Sequence, residues 1–145
     1  MKRSIVSAAA FSLVELTLAL GIAAFCLLAV FGLMPVGVQA NRNATSQTAA
    51  TSILSDVIAD LRATPKANAT STQFAITFGT ARTLYFDGPG QFTTVLGANS
   101  RYRVNITWNG TAGLRYADIN VIWPAAATAA NANGSVEMFA AFDRN

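Results

Sequence analysis

Histidine is absent from this 145-residue chain, and cysteine occurs once, at Cys26. No Ser-His or Cys-His nucleophile pair can therefore exist, and no intramolecular disulfide can staple the fold. Charge is also sparse, at 12% of residues against 52% apolar, lean for a soluble domain. The formal charge is +3, and Lys2 and Arg3 supply much of the excess. Nucleic-acid binding needs clustered Lys and Arg. The nearest thing to a cluster is Arg101, Arg103 and Arg115, which read as the solvated face of a strand, so no direct nucleic-acid partner is expected. No Walker, Rossmann or zinc spacing occurs. The turn "DGPG" (Asp87–Gly90) offers one carboxylate, whereas calcium takes six to eight oxygen ligands. Neither an enzyme nor a cofactor or metal protein is expected from this inventory.

What the chain does have is a long apolar run. From Phe11 to Met34 there are 24 residues and one charge, Glu15. As a helix this run spans about 36 Å, enough to cross a bilayer. Lys2 and Arg3 precede it and would hold the N-terminus in the cytoplasm. A cleaved secretory signal fits poorly, because its apolar region is shorter and a small-x-small site should follow. A lipoprotein cut before Cys26 is disfavoured by Phe25, so Cys26 reads as a small apolar residue of the helix. A plain signal anchor explains length and orientation but not Glu15. A charge at mid-bilayer costs about 2.5–3.5 kcal/mol or more, so a carboxylate kept there needs a partner or the headgroup boundary. Gly21 and Gly32 permit close helix packing. Pro35, in "LMPVG", reads as a kink or exit of the helix.

The stretch "AFSLVELTLALGIAAF" resembles the class III signal of type IV pilins and type II secretion pseudopilins. In that family a basic leader ends in a small residue, and cleavage leaves an N-methylated Phe with Glu as the fifth mature residue. The resemblance implies a leader Met1–Ala10, a cut and methylation site at Ala10/Phe11, and an assembly role for Glu15. Ala10 departs from the usual Gly. Cleavage would leave eight basic and seven acidic residues, a net charge of +1. The freed amine lies one helical turn from Glu15, so the carboxylate could meet its own N-terminus or a neighbour's. The implied partners are the prepilin peptidase/N-methyltransferase, other pilin-like subunits and inner-membrane lipid. The implied location is the bacterial inner membrane, single-pass with a periplasmic C-terminal part, and then a pilus or pseudopilus. The run through Gly37, with "ATSILSDVIADLRATP", is also similar to a pseudopilin-like subset of Verrucomicrobia, the Verru_Chthon cassette protein B type.

Beyond Gly37 the sequence turns polar. Ala50, Ile53, Leu54, Val57, Ile58 and Leu61 recur at helical spacing and predict an amphipathic helix. Thr51, Ser52, Ser55, Asp56, Asp60 and Arg62 are placed on its other side. Thr64-Pro65 should end it. Strands are expected at "QFAITFG" (73–79), on both sides of the Asp87–Gly90 turn, at "RYRVNITW", at "LRYADINVIW" and at "SVEMFAAF". The alanine-rich 125–134 reads as a loop with room for a short helix. A one-sided sheet needs a cover, and the helix face from Ala50 to Leu61 supplies one. The expected fold is α+β: a long N-terminal helix on a small antiparallel sheet, as in pilins. Its parts are a leader (1–10), a transmembrane and assembly helix (11–34), an amphipathic continuation (35–64) and a β-sheet part (65–145). Two other functions remain open on the sequence alone. One is an uncleaved, membrane-anchored binding module outside the cytoplasm. The other is an anchored enzyme, which would need a carboxylate pair such as Asp118 with Asp87.

Overall fold

The computed structural model describes residues 12–110 and 114–144. The chain divides into two compact units, Met1–Ala40 and Asn41–Asn145. Helix α1 is assigned over Leu13–Ala63. In the first unit the described residues from Leu13 onward are all helical. Pro35 lies inside α1, so the helix runs on past Leu33–Gly37 into the expected continuation. Proline removes one backbone donor, and an apolar helix tolerates that loss when the turns on both sides persist.

The second unit is α+β, with the last turns of α1 packed on one antiparallel sheet. Its strands are β1 (Arg82–Phe86), β2 (Phe92–Thr93), β3 (Tyr102–Asn109), β4 (Leu114–Trp123) and β5 (Gly134–Asp143). Their order across the sheet is β2-β1-β3-β4-β5, with every pairing antiparallel. The predicted helix face is the core: Ala50, Ile53, Leu54, Val57, Ile58 and Leu61 are all buried. Facing it are Leu84 and Phe86 of β1, Tyr102, Val104 and Ile106 of β3, and Ala117, Ile119 and Val121 of β4. These positions alternate along each strand, so one sheet face is apolar and the helix covers it. Burial of such large side chains stabilises the unit by about 1.5–3 kcal/mol each.

Two expectations for this unit are corrected. The segment 73–79 is not a strand of the sheet. Its only ladder contact is an isolated bridge, Thr70 to Thr77, and Ala75 adopts φ 51°. A non-glycine residue there leaves the extended region. The alternation still works for burial, because Phe74, Ile76 and Phe78 all enter the core. The second correction concerns Asp60, which is buried rather than on the solvent side. Its Oδ1 accepts the backbone N–H of Gln73 and its Oδ2 that of Phe74, both at 3.0 Å. Ser71 Oγ accepts the Ile76 N–H at 3.0 Å. Side chains thus take up the backbone donors that a sheet partner would have served.

The helix ends as predicted before Thr64-Pro65. Thr64 Oγ1 donates to the Asp60 carbonyl at 2.8 Å. The exposed loop that follows is held by Arg144. Its guanidinium donates to the carbonyls of Thr64, Pro65, Lys66 and Asn68 and lies 4.0 Å over the Phe78 ring. One planar fork therefore ties the end of β5 to the end of α1. Lysine offers a single ammonium and no planar face. Arg144→Lys is expected to cost about 1–2 kcal/mol, read as a lower thermal midpoint by near-ultraviolet circular dichroism of the full chain in detergent. An unchanged midpoint would remove Arg144 from the stabilising contacts.

Candidate membrane and assembly segment

The first unit is built from residues that avoid water yet remain uncovered. Leu13, Val14, Leu16, Leu18, Leu20, Ile22, Leu27, Leu28, Val30, Phe31, Leu33 and Met34 are all exposed, and Phe25 is 74% exposed. Alpha-helix α1 is long and apolar enough to cross a membrane. An exposed apolar surface on this scale marks a membrane or protein contact. Cys26 is exposed as well, as part of the same surface. A side chain added at Gly21 or Gly32 would meet nothing within 4 Å. Neither glycine serves a contact among the described residues.

Glu15 stands in the first turn of α1. The helix opens with the Leu16 N–H donating to the Ser12 carbonyl at 3.0 Å, which puts Ser12 at the cap position. Ser12 and Glu15 therefore have the spacing of a capping box. Among the described residues no side-chain bond joins the two, and Glu15 has no ion-pair partner. Its carboxylate is available to a group outside this set. Ala10 and Phe11, the expected cleavage and methylation site, lie outside the described residues. Thr17 Oγ1 donates to the Val14 carbonyl at 2.9 Å. That satisfies its hydroxyl within the helix and lets a threonine sit in an apolar stretch.

Outside this segment, the structure gives the other candidate residues local work. Arg101 donates to Ser46 Oγ at 3.3 Å, Arg103 to the Ala127 carbonyl at 2.7 Å, and Arg115 to the Phe78 carbonyl at 3.4 Å. These three cations serve three different parts of the fold and form no basic patch. Asp87 serves its own turn, with Oδ1 accepting the Gln91 N–H at 2.7 Å and Gly90 at φ 89°. Asp118 sits opposite Thr107 on β3, whereas Asp87 follows Phe86, which pairs with Tyr102. Five residues along β3 separate those rows, about 17 Å. The Asp118–Asp87 pairing is therefore corrected.

Asp118 instead meets Glu137 of β5. A hydrogen bond donated to Asp118, then the charge of that carboxylate, then desolvation raise the Glu137 carboxyl above its ordinary value. Alternating strand patterns hid this pair, because its members are nineteen positions apart and meet only through the β4–β5 register. Among the described residues no group of three or more His, Cys, Asp or Glu side chains could hold a metal ion. Comparison of the chain with protein-family models, curated proteins and solved structures returned no match.

Proposed function

We propose that the chain is a structural subunit of a type IV pilus-like or type II secretion pseudopilus filament, a minor one by its size, and that it does no catalysis. It is made as a single-pass inner-membrane protein with its C-terminal unit in the periplasm. Prepilin peptidase cuts between Ala10 and Phe11 and methylates the new N-terminus. The subunit then leaves the bilayer and joins other pilin-like subunits through its N-terminal helix. One observation carries this reading. The uncovered apolar part of α1 holds a single carboxylate, Glu15, in its first turn, with no partner among the described residues. Free insertion in lipid gives that charge no use, whereas a neighbouring N-terminal amine does. A helix face that continues onto a sheet, Ala50 to Leu61, fits the architecture the resemblance implies.

The test is the intact mass and N-terminal sequence of the protein taken from its native membrane. A chain that begins at N-methyl-Phe11 is expected. A chain that begins at Met1 would overturn processing and leave an uncleaved anchored binding module.

A further inference from the structure

The sheet ends in two very different edges. On one side lies β2, only two residues long. On the other lies β5, ten residues long and, among the described residues, paired only with β4. Natural edge strands are blunted by lysine, proline, a bulge or a cover, because their free N–H and C=O groups template another strand. From Gly134 to Phe142, β5 has neither lysine nor proline. Its ten pairs with β4 run in unbroken register, so no bulge turns it aside. Phe139 is 71% exposed and Met138 is 43% exposed, one on each face of this edge.

Two side-chain oxygens beside the edge lack a donor among the described residues. Glu137 pairs across the ladder with Asn120, and Phe139 with Asp118. Asn120 Oδ1 and Asp118 Oδ1 are shielded from water and accept no hydrogen bond. Asp118 and Glu137 share one sheet face on adjacent strands, one diagonal step apart, so their charges oppose each other. Among the described residues neither carboxyl has an ion-pair partner, and two shielded oxygens lack a donor.

We propose that the free edge of β5 docks an extended segment of another polypeptide as a sixth strand, with an arginine or lysine opposite Glu137 and an apolar residue opposite Phe139. Backbone bonds along the edge supply affinity. The side chains on alternate positions supply specificity. A basic residue would offset the exposed Glu137 carboxyl and its neighbour Asp118, and the residue two positions away on the same face would cover the Phe139 ring. The charge pattern argues against a second copy as the occupant. Antiparallel self-pairing about Phe139 would set two Asp118–Glu137 pairs on one face with no cation between them, which opposes association.

The experiment uses the full chain in detergent and three short synthetic peptides. The first alternates threonine and valine, with a central arginine and a valine two positions from it. The second has glutamate in place of arginine. The third is the arginine peptide with alternate backbone nitrogens methylated. Binding is read by fluorescence anisotropy and by amide exchange of residues 135–142. The arginine peptide is expected to slow exchange at alternate β5 amides and to bind about tenfold more tightly than the glutamate peptide. Backbone methylation should abolish binding. Glu137→Lys should remove the preference for the arginine peptide, because the new ammonium would itself face Asp118. Equal binding of both charged peptides, binding that survives methylation, or no binding at all would each overturn the proposal. So would dimerisation of the chain through β5 in sedimentation runs. None of these outcomes depends on whether the chain joins a filament.

Discussion

Glu15→Gln is expected to leave synthesis, membrane insertion and cleavage intact and to remove the protein from assembled filaments. Glutamine keeps the length and hydrogen-bonding capacity of glutamate and loses only the charge. In lipid that loss favours the helix, because a buried carboxylate costs about 2.5–3.5 kcal/mol or more. In a filament the balance reverses. There the carboxylate would face the amine of Phe11 on its own or a neighbouring subunit, in surroundings with little water. Removing one member of a buried pair costs about 3–5 kcal/mol, since the other charge is left uncompensated. That corresponds to a drop in incorporation on the order of a hundredfold or more. The measurement is the share of protein in sheared filaments against the share left in the membrane. Glutamine variants found in filaments at normal levels would sink the pairing. Glu15→Asp is a useful companion, because it keeps the charge and shortens its reach by one methylene.

Residues whose role follows from a short repeat were legible before any coordinates. Ala50, Ile53, Leu54, Val57, Ile58 and Leu61 share one face because a helix turns every 3.6 residues, and all six are buried. Tyr102, Val104 and Ile106 alternate because a strand has period two, and all three face the helix. The same rule misread 73–79, where alternation placed two rings and the Ile76 side chain correctly but the hydrogen bonds went to Asp60 and Ser71. Periodicity reports which side chains avoid water and says nothing of where the backbone donors go. Asp60 itself was hidden for a related reason. A charged residue beside an apolar face is assigned to solvent unless its partners are known, and these lie thirteen and fourteen positions away. Arg144 and the Asp118–Glu137 pair are likewise contacts of long sequence separation. Glu15 is the opposite case. Its oddity is visible in the sequence alone, while its partner is not among the described residues.

Asp60→Ala is expected to destabilise the second unit strongly for the loss of one polar side chain. Asp60 lies three residues before the end of α1 and is only 8% exposed. Each oxygen accepts one backbone N–H, from Gln73 and Phe74, so the carboxylate joins the helix to the segment that carries Phe74, Ile76 and Phe78 into the core. A hydrogen bond to a charged group contributes about 1.5–3 kcal/mol, and a buried donor left alone costs about 1–3 kcal/mol. Alanine removes both bonds and leaves the buried Phe74 N–H without an acceptor. The expected loss is about 3–4 kcal/mol, at the upper end for point substitutions. For a unit of this size that lowers the thermal midpoint by on the order of 15 °C. Asp60→Asn should recover little, because its NH2 group would meet one of the two N–H donors head on. Asp56→Ala, exposed on the same helix, serves as the control and should stay within about 0.5 kcal/mol. Amide exchange adds a local readout: Gln73 and Phe74 should lose protection before the strands do. If Asp60→Ala unfolds no earlier than Asp56→Ala, the backbone of 73–79 is held by the burial of its three large side chains, and the carboxylate is incidental.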